Sequence, residues 1–311
     1  MRKFATLIFI VLACASGLAQ TAPAKQPADD SASTLKVDVK LVNVYVTVTN
    51  AQGGPVTGLG KENFSLQEDG REQAISIFDK ESAAPLSIAL AIDTSLSTRH
   101  DLPLEQASAK RFARAIMRPV DALSVFGFSE TVQASSYTSD LKRIDDGIDH
   151  VRLGAATALF DAVYLASRSL DRRKGRKVLV LITDGGDTVS KMDYKQAVRA
   201  AEEAECTVYS IIVVPIESSA GRETGGEHAL IQLSEDTGGK YYYATSMSQL
   251  DNAFRQISDE LRTQYLLAYY PSQRLSNSQF RRIEVGVVGS AESSSYRVRH
   301  RAGYYTSKSD F

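Results

Sequence analysis

The stretch Leu86-Ser87-Ile88-Ala89-Leu90-Ala91-Ile92-Asp93-Thr94-Ser95-Leu96-Ser97 decides the fold. Its first seven residues form a nearly continuous apolar run of strand length. Such a run marks a strand covered on both faces, as in parallel sheets. The run ends directly in a carboxylate followed by hydroxyls at alternate positions, so a buried strand delivers oxygen-bearing side chains to its own carboxyl end. In open α/β sheets that end is where ligands bind.

Strands and amphipathic helices alternate onward from it. The spacing predicts a helix over 102–117 stopped by Pro119, a strand over 123–128, a short helix over 139–151 and a helix over 159–170. A strand over 178–183, a helix over 194–205 and a strand over 207–214 follow, then a helix over 229–235, a strand over 240–243 and a helix over 249–264. Helices between buried strands imply a doubly wound, mostly parallel α/β sheet, Rossmann-like in plan, spanning 86–264.

The flanks have a different grammar. Val37, Val39 and Leu41, then Val42, Val44, Val46 and Val48, alternate with one phase slip, as a long bulged strand would give. Short strands at 64–67 and 74–78 are joined by the turn pair Asp69-Gly70, and alternation returns at 266–270, 282–288 and 296–301. Segments 35–85 and 265–306 are thus expected to form one small β-sandwich-like domain into which the α/β domain is inserted. Helix 249–264 passes without a linker into strand 266–270, so a shift of that helix would tilt one domain on the other.

Arg2 and Lys3 precede the apolar run 4–15, with Gly17-Leu18-Ala19 after it, which makes 1–19 a secretory signal peptide and 20–34 a flexible linker. A second reading makes Cys14 a lipid-anchored amino terminus, but Leu12 fits that signal poorly. With the signal removed no transmembrane segment is expected, and the destination is the periplasm or the extracellular space. Cleavage takes the net charge from −1 to −3 and leaves Cys206 as the lone cysteine. Balanced charge argues against nucleic acid as a partner, and one cysteine excludes a disulfide scaffold.

Three loops carry the chemistry, two at strand ends and one just before a helix. Asp93, Ser95 and Ser97 follow the first strand, Thr157 lies in the small-residue loop Gly154-Ala155-Ala156-Thr157-Ala158, and Asp184 follows the strand ending in Thr183. Two carboxylates and three hydroxyls, with no soft ligand, suit Mg²⁺, with Mn²⁺ as a substitute. Asp187 is a candidate to approach the metal through water; an exposed turn carboxylate is the plainer reading.

These five residues resemble the von Willebrand factor type A (VWA) family, whose metal-ion-dependent adhesion site has the pattern D-x-S-x-S, a distant Thr and a distant Asp. All five positions are matched in order. The whole chain is most similar to secreted VWFA-related proteins of acidobacteria, through Val44-Tyr45-Val46-Thr47-Val48, Glu68-Asp69-Gly70, Tyr269-Tyr270-Pro271 and Gly303-Tyr304-Tyr305. The resemblance implies that Ser and Thr hydroxyls coordinate the metal, that the Asp residues bind directly or through water, and that an Asp or Glu of a partner protein completes the shell. The expectation is therefore a non-enzymatic adhesion module. The competing readings are a metal-dependent hydrolase, which lacks a free general base in the motif, and a structural envelope module with an idle site.

Other signals are weak. His100, His150, His228 and His300 form no metal pattern, no G-x-S-x-G occurs, and Gly60-Lys61 lacks the rest of a phosphate loop. Cys206 is expected to be a buried small hydrophobe, and the basic run from Arg172 to Lys177 a solvated helix end.

Overall fold

The computed structural model describes residues 41–80, 84–98, 101–214, 224–273, 279–289 and 293–307. The signal segment, the linker and the first part of the 35–48 strand lie outside them.

The apolar run forms strand β5 (Leu86–Asp93), every residue of which is buried. The amino-terminal strands are β1 (Val42–Thr49), β2 (Phe64–Glu68), β3 (Arg71–Glu72) and β4 (Ile75–Lys80). After β5 come α1 (Leu102–Ile116), β6 (Ala122–Phe128), β7 (Val132–Ala134), α2 (Leu141–Asp149), α3 (Leu159–Asp171) and β8 (Arg176–Thr183). Then follow α4 (Tyr194–Glu203), β9 (Cys206–Val213), α5 (Thr224–Asp236), β10 (Lys240–Ala244) and α6 (Met247–Thr263). The chain closes with β11 (Tyr265–Tyr269), β12 (Phe280–Val287), β13 (Arg297–Arg299) and β14 (Gly303–Tyr305).

The central sheet has the order β10-β9-β8-β5-β6-β7, parallel throughout except for β7. β5 lies between β8 and β6 in continuous register, Ile88 opposite both Leu123 and Val178. Alternate residues of the buried strands feed two cores. Ile88, Leu90 and Ile92 pack with α1, α2 and α6 on one face, while Ala89 and Ala91 pack with α3 and α4 on the other.

Two four-stranded antiparallel sheets, β13-β1-β11-β4 and β14-β12-β2-β3, flank this unit. Strands from both ends of the chain pair directly, β1 with β11 and β2 with β12. Val42, Val44, Val46 and Val48 point into a shared core with Leu66, Leu267, Ile283 and Tyr304, as the period-two alternation dictates. Buried Glu68 is satisfied there by the hydroxyls of Tyr269 and Tyr304, at 2.6 and 2.9 Å.

Several elements differ from the sequence reading. β7 was not expected, because only three residues pair and two of them are exposed. α5 begins at Thr224, five residues earlier than its apolar spacing suggests, since Gly225-Gly226 argues against a helix. Arg176 is not part of a solvated helix end: it is buried at the start of β8, donating at 2.6 Å to the Leu261 carbonyl, bonding Gln264 Oε1, and lying over the Tyr45 ring. A cation held at the carboxyl end of α6 complements that helix's dipole, and burial of its stem compensates the lost exposure. Gln264, the one residue between α6 and β11, also donates to Thr47 Oγ1 at 3.0 Å, tying β8, α6 and β1 together.

Candidate metal centre

Asp93 is the last residue of β5 and has no exposed surface. Its Oδ1 accepts from the Ser95 N–H at 2.9 Å and its Oδ2 from the Thr183 hydroxyl at 2.7 Å. Burial, with a smaller contribution from the Asp184 charge, pushes its carboxyl up to about 6 against the pull of these bonds. A carboxylate so placed gains from any nearby cation.

The turn after β5 is held by Thr98, whose hydroxyl donates to the carbonyls of Asp93 at 3.1 Å and Ser95 at 3.0 Å. This presents the Ser95 and Ser97 hydroxyls 2.9 Å apart, Ser95 buried and Ser97 exposed, so the pair leads from the buried carboxylate to the surface. Thr94 anchors the turn to β6 through the Phe128 carbonyl, at 2.8 Å from its N–H.

The other two predicted residues arrive on neighbouring loops. Half-buried Asp184 follows Thr183, whose hydroxyl also accepts from the Gly185 N–H at 3.1 Å. Thr157 is buried, and its loop is joined to the first one three residues earlier, where the Gly154 N–H donates to the Thr94 carbonyl at 2.9 Å. Thr157 is tied to the Asp184 loop by the Thr188 N–H, which donates to its carbonyl at 2.9 Å. Asp93, Ser95 and Ser97 therefore form one hydrogen-bonded group. Thr157 and Asp184 border it through backbone and through charge, and no hydrogen bond joins their side chains to it among the described residues.

Asp187 is engaged at the start of α3. Its Oδ1 accepts from the Phe160 N–H at 3.3 Å and from the Ser190 hydroxyl, capping α3, whose own N-cap position is Ala158 and has no acceptor.

Three residues here were missed by sequence reasoning. Thr183 and Thr98 hold Asp93 and its turn, and neither has a signal beyond being a hydroxyl near a strand end. Glu105 interrupts the apolar stripe of α1 formed with Leu102, Ala109 and Phe112, and is 1% exposed. An acidic residue in the buried phase of a helix was a legible signal.

The donor set is oxygen only, suited to a hard divalent cation. Among the described residues no three His, Cys, Asp or Glu side chains converge closely enough to hold an ion by themselves. Any cation at Asp93 therefore depends on the serine and threonine hydroxyls. Their placement, with a buried carboxylate short of compensating charge, fits that role.

A doubly wound sheet with oxygen donors gathered at its carboxyl edge defines a class. The chain belongs to the von Willebrand factor type A domain family, whose model matches residues 87–256, more than half of its length. A solved von Willebrand factor type A structure from Catenulispora acidiphila is similar over 87% of this chain and 73% of that one, at 10% identity and a TM-score of 0.51. BatB from Bacteroides thetaiotaomicron is 20% identical over 57% of this chain and 100% of its own, with a TM-score of 0.45. The vWF domain of the type V pili tip protein Mfa5 from Porphyromonas gingivalis is 12% identical over 57% of this chain and 95% of its own, with a TM-score of 0.46. No curated protein matches the chain.

Proposed function

We propose that this protein is an exported, non-enzymatic interaction module that captures an acidic side chain of a partner protein through a divalent cation, Mg²⁺ or Mn²⁺. Asp93, Ser95, Ser97, Thr157 and Asp184 would hold it. One observation carries the reading: a fully buried carboxylate at the end of the central strand is followed by two serine hydroxyls in contact with each other, the outer one exposed. Two carboxylates balance a dication, so a site open on one side favours one further anionic oxygen, which Asp or Glu supplies. Domains of this family often bind a divalent metal, and both motif Asp residues would then be committed to the ion, so neither is free to act as a general base. No helix among the described residues is long and apolar enough to cross a membrane. Export would rest on the 1–19 segment, and the α/β domain would be carried on the sandwich made by 35–85 and 265–306.

Calorimetric titration of the full chain with Mg²⁺, followed by affinity capture from the native envelope in Mg²⁺ and elution with EDTA, tests this. Wild type should bind the ion and release its partner to EDTA, while folded Asp93→Ala does neither. Partner binding that persists in EDTA and in Asp93→Ala removes the metal from the mechanism.

A further inference from the structure

The buried face of α1 is formed by Leu102, Glu105, Ser108, Ala109, Phe112, Ala113 and Ile116, and Glu105 alone among them can ionise. Neither of its carboxyl oxygens receives a hydrogen bond, and neither reaches solvent. Buried acceptors are almost always satisfied, so an orphaned carboxyl calls for a donor that the protein itself does not provide. The surroundings say which kind. Burial pushes the Glu105 carboxyl up to about 8, and the charges of Asp93, Asp101 and Asp184 add to the shift. The backbone places it beside the Asp93 turn: the Glu105 N–H donates to the Asp101 carbonyl at 2.9 Å, and the Asp101 N–H to the carbonyl of Thr98, at 3.0 Å, the residue whose hydroxyl holds that turn at the Asp93 carbonyl. A further negative charge there is unfavourable unless positive charge is present.

Resting on the metal reading above, we propose that Glu105 is an outer carboxylate of the cation site, accepting hydrogen bonds from water that the cation holds on its buried side. Direct ligation is disfavoured by geometry. An octahedral ligand stands cis to at least one of any two others, which at Mg–O distances of about 2.1 Å places it about 3 Å away. Glu105 makes no side-chain hydrogen bond to Ser95 or Ser97, and among the described residues no three carboxylates are grouped so as to hold an ion. Mg²⁺ dehydrates reluctantly and keeps several waters, which are strong donors at the right remove. Outer partners of this kind orient and charge-tune a metal site without touching the ion. The outward position stays open for the partner's carboxylate.

The test is calorimetric titration of the full chain with MgCl₂ for wild type, Glu105→Gln and Glu105→Met, with melting curves in EDTA and in Mg²⁺. Both variants should bind Mg²⁺ about 10–100-fold more weakly than wild type, the usual cost of losing an outer-sphere partner. Glu105→Met should melt in EDTA no lower than wild type, because an apolar chain of similar length replaces an orphaned carboxyl, yet gain less from Mg²⁺. Wild-type affinity in both variants shows that Glu105 is a core acid with no part in the site, and overturns the inference alone. A wild-type chain that takes neither Mg²⁺ nor Mn²⁺ overturns the metal reading and this inference with it. If Glu105→Met does not fold, Glu105→Gln, which keeps the shape and loses the charge, decides.

Discussion

Replacing Thr183 with Val asks whether Asp93 is held from the neighbouring strand. The two side chains have nearly the same shape, so the change deletes a hydroxyl from a fully buried position and preserves packing. Two hydrogen bonds are lost, the donation to Asp93 Oδ2 at 2.7 Å and the acceptance from the Gly185 N–H at 3.1 Å. A bond to a charged acceptor contributes about 1.5–3 kcal/mol, and leaving the buried Gly185 N–H without a partner costs about 1–3 kcal/mol. Removing the hydroxyl also relieves its own desolvation, so the net loss of stability is about 2–4 kcal/mol. Asp93 sits at about 6 even with the Thr183 bond drawing it down, so Thr183→Val raises it further. A carboxyl that keeps its proton is a poorer ligand, and Mg²⁺ affinity should fall about 10–100-fold. Urea denaturation in EDTA measures the first effect and calorimetry the second, with Thr183→Ser as the control that retains the hydroxyl. Thr183→Val within about 0.5 kcal/mol of wild type, the scatter of inconsequential substitutions, refutes the reasoning.

Three further outcomes follow from the geometry. In Gly226→Ala the added methyl would lie 1.4 Å from the Gly185 carbonyl oxygen, so α5 must move off the Asp184 loop; a loss of about 1–3 kcal/mol and weaker Mg²⁺ binding are expected, and an unchanged melting temperature contradicts the close approach. Asp93 and Glu105 are raised to about 6 and about 8 from 3.8 and 4.5, so the folded metal-free chain keeps protons that the unfolded chain has released. Its stability in EDTA should therefore fall by roughly 2–5 kcal/mol between about pH 5 and pH 8, and a rise measured by denaturation over that range is the opposite of this linkage. Cys206 is buried and its thiol is pushed up to about 12, first by burial, so iodoacetamide should label it only after unfolding; labelling of the native protein at a free-thiol rate contradicts this.

The part of this molecule that could be read from sequence is the part encoded locally. β5 announces itself because burial on both faces leaves no polar phase, and Asp93, Ser95 and Ser97 lie within one turn of it. The serine contact at 2.9 Å follows from their spacing and a turn pinned by Thr98. What escaped depends on partners distant in the chain. Gly225-Gly226 looks like a break in a helix, and becomes intelligible only when Gly185 is seen against it. Arg176 looks like one more basic residue after α3 until the end of α6 arrives to receive it. Asp187 caps a helix that starts twenty-eight residues earlier in the chain, at Leu159, a pairing that no local pattern encodes. Glu105 is intermediate: its phase on α1 was visible, but its meaning required knowing what lies opposite.

The pairing of the two chain ends also has a mechanical meaning. β4 and β11, the strands that lead into and out of the α/β unit, are antiparallel neighbours, and Lys80 pairs with Tyr265, so both connections leave from the same end of the sheet. β1 enters at the opposite end, with Val42 beside Tyr269. Tension between the start of β1 and the α/β unit would therefore pull β1 and β11 along their lengths in opposite directions. In that shearing geometry the ladder bonds from Val42 to Val46 are loaded together, whereas strands pulled apart from one end would open bond by bond. A load applied along β1 would thus be carried by the β1–β11 ladder as a whole and not by one bond at a time.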